Sequence, residues 1–428
     1  MNQVTSTNFI FPVINFTEVK HKVLNWANRF STFCFLDNHQ YQSEQHELEC
    51  LLAAGRKDFI ELSAGSALNE LQGFISSKRS WLFGHLGYDL KNEIEAVHSG
   101  HDDPIQFPDL FFFEPQVVIR FNENEMIIES DDDPEEIFRS ILSSEEMVIS
   151  SEPVAIQNRI QKDEYISIVN GLRRHILRGD CYEINFCQEF FAEHAVSDPI
   201  SVYKKLDAIS PNPFSALYKL EDKWLICASP ERFLKKTGRK ILSQPIKGTS
   251  KRMPDKVDDQ RSQEELFHSS KDRSENVMVV DLVRNDLAKV CVEGTVTVDE
   301  LYGIYSFPQV HQMISTVSGE LKENISFAEI IRSTFPMGSM TGAPKKKVLE
   351  LIEEYEKTRR GIFSGAVGYI NPDGDFDFNV VIRSIMYNQT HKYLSFQTGS
   401  GITFYSDAEK EWEECLLKAE AIKMVLKK

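Results

Sequence analysis

Lys247 stands in Pro245-Ile246-Lys247-Gly248-Thr249, just after the alternating run Lys240 to Gln244, which reads as a strand ending at the proline. A lysine at a tight, glycine-bearing strand end is placed to reach a cleft floor. There desolvation would strip its proton and leave the amine a nucleophile. The plainer alternative is an exposed lysine in an ordinary turn. Glu231, in Ser229-Pro230-Glu231-Arg232-Phe233, follows the apolar strand Trp224 to Ala228 at a forced turn. It is either a catalytic carboxylate at a strand end or the surface partner of Arg232. Asp272 and Glu275 lie three apart in a helix expected over roughly Gln263 to Leu287, so they share a face. Glu411 and Glu414 share a face of a second helix, starting after a Ser406 cap, with Lys418 one turn on. Two helices offering carboxylates at the same spacing could converge on a hard cation such as Mg²⁺. They could equally be two solvated faces of an acidic chain.

Backbone surfaces supplement these side chains. The stretch Phe335 to Lys345 carries Ser339 and Thr341 and opens a helix with Pro344 in its first turn. Its free N–H groups suit an anion such as a substrate carboxylate, but the spacing is not that of a Walker A loop. Gly399, Ser400 and Gly401 follow the strand Tyr393 to Gln397 and form a second glycine-lined surface. Arg383 falls in an apolar strand, Phe378 to Met386, and needs an anionic partner, either a structural acid or a ligand carboxylate.

These residues need a scaffold of strands and helices. Strand-like runs at Thr32 to Leu36, Trp81 to Leu86, Leu110 to Phe113 and Val117 to Phe121 precede an acidic run at 129–136, with a helix starting near Pro134. The boundary between two regions, 1–150 and 151–428, is placed there. An N-cap at Asp163 and a closing Gly179 bracket the next helix. The alternating segment Cys181 to Phe191 then puts Glu183 and Asn185 on one face, which reads as an edge strand facing water. Ser250 to Arg261 is expected to be a polar, mobile loop. At 428 residues and 41% hydrophobic, the chain can bury a large core. Its net charge of -17 argues against nucleic acid and anionic membranes as partners. Seven unpaired-looking cysteines, no apolar run of membrane-spanning length and no signal-like start at Met1 to Val4 point to the cytoplasm.

Taken together, Ser229 to Phe233, Pro245 to Thr249, Asp272 to Leu287, Gly338 to Lys345 and Gly399 to Ile402 with the Glu411/Glu414 helix resemble the chorismate-utilising enzymes. The likeness is strong over about 155–428 and weak before it. It implies an α/β (α+β) fold of face-to-face packed sheets surrounded by helices, in one intertwined unit. Within the family, a lysine at 247 implies the branch that aminates chorismate at ring carbon 4, because anthranilate-forming members carry a small residue there. The implied reaction yields 4-amino-4-deoxychorismate, for 4-aminobenzoate and folate, through a lysine-linked intermediate. Glu231 would be the general acid, and Glu275, Glu414 and Glu411 would hold Mg²⁺. Asp272 and His311 would support catalysis. Gly248, Thr249, Ser339, Thr341, Arg383, Gly399, Ser400 and Gly401 would hold the substrate. Isochorismate- and salicylate-forming members place a lysine where Glu183 stands, and close relatives are expected to carry glutamine there, so its role is open. Phe363 replaces a tyrosine that often assists Arg383. The tryptophan-feedback motif of anthranilate-forming members is missing near Phe35-Leu36-Asp37-Asn38. No glutamine-hydrolysing motif is present, so ammonia would come from a separate glutaminase subunit. The rival readings are another chorismate enzyme, anthranilate-forming first, and a non-catalytic acidic binding protein.

Overall fold

The computed structural model describes residues 9–41, 48–145 and 153–427. Met1 to Val4 lie outside the described residues. Two antiparallel sheets, of 12 and 10 strands, dominate the molecule. In the first, neighbouring strands include Cys50–Ala54, Thr32–Asp37, Phe214–Leu220, Lys223–Ser229, Ser384–Asn388, Tyr393–Ile402 and Glu183–Ala192. The second runs from Ile246–Lys251 through Val310–Glu320, Lys240–Gln244 and Arg232–Thr237 to Phe376–Asn379, Ala366–Ile370, Leu82–Leu86, Leu110–Glu114 and Asp58–Leu62. Both sheets therefore draw strands from either side of residue 150.

Side-chain alternation explains why the sheets face each other. In Phe214–Leu220, Ala216, Tyr218 and Leu220 point into the layer shared with Phe83, Phe111 and Leu234 of the other sheet. Leu217 points the opposite way, toward an outer layer built with Tyr165, Leu349 and Ile422 from helices Lys162–Arg178, Lys345–Tyr355 and Ala408–Leu426. The phenylalanine-rich strand Leu110–Glu114 is buried along nearly its whole length. Truncating one of these rings, as in Phe111→Ala, costs about 3–5 kcal/mol.

Several sequence expectations hold. Asp133 caps a helix at Pro134–Leu142, and Gly179, at φ 88°, closes Lys162–Arg178. Others are corrected. The helix expected over Gln263 to Leu287 is two helices, Lys256–His268 and Ser270–Val290, parted at Ser269. Ser269 is extended and its hydroxyl accepts the Asp272 N–H, so it caps the second helix. The expected mobile loop at Ser250 to Arg261 ends in the first of these helices, because Asp255 accepts the N–H groups of Val257 and Asp258. Asp407, rather than Ser406, caps Ala408–Leu426. Phe378 to Met386 is not one strand: Arg383 has φ 53° and separates Phe376–Asn379 from Ser384–Asn388. Glu183–Ala192 is buried throughout rather than facing water. All seven cysteines are free, and no described helix is long and apolar enough to cross a membrane.

Candidate functional site

Lys247 lies at an irregularity in the pairing of Ile246–Lys251 with Val310–Glu320, where Ile246 faces Ile314 but Thr249 faces Gln312. Gly248 takes φ 97° there, and a Cβ on it would come within 3.0 Å of the Asp272 side chain. This bend turns the Lys247 side chain inward, where its Nζ donates to Glu183 Oε1 at 2.5 Å. Across the pair runs the backbone of Tyr393–Ile402. A Cβ on Gly401 would sit 2.6 Å from Glu183 Oε1 and 2.9 Å from Lys247 Nζ. Glycine at 401 is what lets the pair form.

The pair opens on a solvent-connected cavity of about 880 Å³. Its walls include Glu231, Lys247, Gly248, Thr249, Asp272, Glu275, Ser339, Arg383, Gly399, Ser400, Gly401 and Glu414. Five sequence blocks that are far apart in the chain thus meet in one space. Glu231 is buried, and burial pushes its carboxyl up to about 7, with Ser339 and Lys247 pulling the other way. Burial likewise raises Glu275 to about 7, against the field of Lys247. For Lys247, burial acts to lower the amine, but Glu183, Glu275 and Glu231 together hold it well above the usual lysine range. The expected loss of its proton through desolvation alone is corrected by this count of neighbouring carboxylates. Arg383 lines the cavity with its basicity lowered by burial and raised by Glu414. Among the described residues it makes no ion pair, so the cavity holds a guanidinium open to a ligand carboxylate.

Three expected site residues do not reach the cavity. His311 is buried on the opposite face of its strand, with Nδ1 2.8 Å from Ser306 Oγ and Nε2 3.1 Å from Asp259 Oδ1. Strand alternation presents Val310 and Gln312 instead, and Gln312 Oε1 is buried without a partner among the described residues. Thr341 is fully buried and its hydroxyl donates to Met337 O at 3.1 Å, bracing the turn that presents Ser339. Of the glycine-rich loop only Ser339 and Met340 line the cavity, and Lys345, at the helix start beyond it, is tied to Asp286. Glu411 is buried behind the wall. Sequence reading missed Gln312 and Lys418, whose Nζ donates to Gly399 O at 2.8 Å and pairs with Glu414. The signal for Gln312 was its parity with Val310; nothing marked Lys418 beyond its position one turn after Glu414.

A hard-cation site can be tested on the acids. Glu275 Oε1 and Glu411 Oε2 are buried with no hydrogen-bond partner among the described residues. The Lys271 ammonium stands between them, 3.8 Å from Glu275 Oε1 and 3.5 Å from Glu411 Oε1. A cation is already accommodated between the two helices, and the all-carboxylate donors suit Mg²⁺, which takes few protein ligands and keeps its waters. The donors fit. Among the described residues, tighter three-donor groups occur only around Asp37, with Glu49 and Cys50 or with His39 and Asp207. There the Lys20 ammonium already lies 2.5 Å from Asp37 and 3.2 Å from Asp207.

Comparison with known proteins is consistent across sequence and fold. Residues 25–424 match the chorismate binding enzyme family. The chain is 33% identical over 343 residues to aminodeoxychorismate synthase component 1 of Klebsiella aerogenes, covering 79% of this chain and 75% of that one. It is 33% identical over 349 residues to an anthranilate synthase component I-like protein of Synechocystis, covering 80% and 71%. The crystal structure of anthranilate synthase component I from Streptococcus pneumoniae superposes with a TM-score of 0.77 at 23% identity, covering 90% of this chain and 93% of that one.

Proposed function

This chain belongs to the chorismate binding enzyme family and is an enzyme acting on chorismate, and we propose that it converts chorismate and ammonia to 4-amino-4-deoxychorismate. The observation that carries this reading is Lys247: an amine held at the wall of a cavity that also presents a buried carboxyl near neutrality and an arginine with no ion-pair partner among the described residues. Several curated relatives bear the name aminodeoxychorismate synthase component 1, which supports the same choice.

In this reading Arg383, with Ser339 and the Gly399 to Gly401 backbone, holds the substrate's carboxylates. Once free of its proton, the Lys247 amine attacks ring carbon 2, both conjugated ring double bonds shift by one position, and the carbon-4 hydroxyl departs. Glu231, held near half-protonation at neutral pH, gives that hydroxyl its proton, without which it is a very poor leaving group. Ammonia then attacks carbon 4, both double bonds shift back to their original positions, and Lys247 leaves as the amine. Glu275, Glu411 and Glu414 are the residues that would hold Mg²⁺, which when bound supplies positive charge for the ring carboxylate. Gly248 and Asp272 set the bend that aims the lysine. In this reading the ammonia comes from a separate glutaminase subunit; the relatives' names, with "component 1", imply a second component for them.

The test is product identification by mass spectrometry after incubation with chorismate, ammonium and Mg²⁺. A non-aromatic carbon-4 amine is expected. Fluorescent anthranilate as the sole product would overturn the assignment in favour of amination at carbon 2.

A further inference from the structure

The mechanism needs an unprotonated Lys247, yet the resting site surrounds this amine with carboxylates. Glu183, Glu231, Glu275 and Glu414 all act on it electrostatically, and Asp272 packs against the neighbouring Gly248. Only Glu183 touches it. That contact is short, at 2.5 Å, and both side chains are withdrawn from solvent. Gly401 closes the pair off on the side of Tyr393–Ile402. The second carboxylate oxygen, Glu183 Oε2, is buried and has no hydrogen-bond partner among the described residues. A buried acceptor with one free oxygen is the arrangement that can take up a proton and keep it away from the atom that must react.

Resting on the reading above, we infer that Glu183 is the immediate acceptor of the Lys247 proton, freeing the amine by transfer along an existing hydrogen bond rather than by loss to solvent. The step balances. The ammonium of Lys247 and the carboxylate of Glu183 become an amine and a carboxylic acid, with the proton able to reside on Oε2. The Nζ lone pair then forms the bond to ring carbon 2 while the carbon-4 oxygen leaves with the proton of Glu231. When ammonia displaces Lys247, the amine retrieves its proton from Glu183. The new carbon-4 ammonium returns one to Glu231. Because the pair carries one proton throughout, the reactive form is a tautomer of the resting one and does not become scarcer at lower pH.

The experiment compares wild type and Glu183→Gln from pH 6 to 9, with free ammonia held constant by adjusting ammonium. Wild type is expected to show no rising limb attributable to the lysine. Glu183→Gln must release the proton to water, so its kcat relative to wild type should be lower by about tenfold or more at pH 7, and that ratio should recover about tenfold per pH unit as pH rises, with KM for chorismate little changed. Glu183→Asp, which keeps a carboxylate, should restore the shape of the wild-type profile at a lower rate, and it serves as the comparison if the glutamine variant does not fold. A glutamine variant that follows the wild-type profile in shape and magnitude would overturn the inference alone. Wild type that forms no carbon-4 amine would overturn the function on which it rests.

Discussion

Lys247 and Lys20 are both lysines largely withdrawn from solvent with a carboxylate oxygen at 2.5 Å, and their surroundings diverge from there. Lys20 pairs with Asp37 and Asp207, and Asp37 also accepts the His39 N–H at 3.0 Å and the Tyr203 hydroxyl at 3.4 Å. The space beside this cluster is about 60 Å³. Burial acts to lower the Lys20 amine, but the two aspartates hold it well above the ordinary lysine range. At Lys247 the partner acid has an oxygen with no hydrogen-bond partner among the described residues, Glu275 has another, and the adjoining cavity is more than ten times larger. Burial and pairing are common to both places, but at the Lys20 cluster Asp207 Oδ1 has His39 Nε2 at 2.8 Å, whereas the second oxygen of Glu183 has no such neighbour among the described residues and its pair stands beside an open space. That surplus, and not burial, separates a reactive lysine from a structural one.

The sharpest way to break the comparison is to remove each amine. Lys247→Ala should abolish carbon-4 amination, read as loss of the amino product with ammonium as the nitrogen source. Lys20→Met should leave turnover per folded molecule within about twofold while lowering stability by roughly 3–5 kcal/mol, because Asp37 and Asp207 stay buried without their cation. Equal loss of turnover in both variants would erase the distinction.

Glu231→Gln comes next, with an expected 10²–10⁴-fold loss in kcat. Wild-type activity should decline as pH rises through about 7, where the Glu231 carboxyl loses its proton, and the variant should lack that decline. The stability effect has a definite sign. The folded carboxyl titrates at about 7 against 4.5 unfolded, so its burial is harmless below 4.5 and destabilising in full above about 7. The glutamine variant should therefore gain at most roughly 3 kcal/mol at pH 8 and nothing at pH 4. A smaller effect tests the acids: Mg²⁺ should raise the melting temperature of wild type, and Glu275→Gln should lose most of that rise. Smallest of all, tryptophan well above typical KM values, about 1 mM, should not inhibit, since Lys20 and its aspartates fill the region after Phe35 and Leu36. Strong inhibition would show that the Lys20 side of the molecule is a ligand site after all.

Much of this was legible in the sequence because periodicity reports local geometry. Tyr393 to Gln397 was visible as a strand, as were Leu110 to Phe113 and Glu231 at the end of Trp224 to Ala228. The residues that failed did so where tertiary contacts decide. His311 and Gln312 are adjacent, and only the pairing register tells which one faces the cavity. Thr341 looked like a ligand hydroxyl, but a backbone carbonyl one turn back claims it. Arg383 interrupts a strand with a left-handed backbone that no local pattern announces. The meeting of Glu183 with Lys247 joins positions 64 residues apart and depends on a third segment having no side chain at Gly401. No single stretch encodes it.

Ala408–Leu426, which follows every other part of the site in the chain, buries Trp412, Cys415, Ala419 and Ile422 against the outer layer while carrying Glu411 and Glu414 to the acids of Ser270–Val290. Loss of this one helix would therefore bare an apolar stretch of the outer layer and take away Glu411 and Glu414 together, so the hydrophobic coat and the charge beside the cavity depend on a single element.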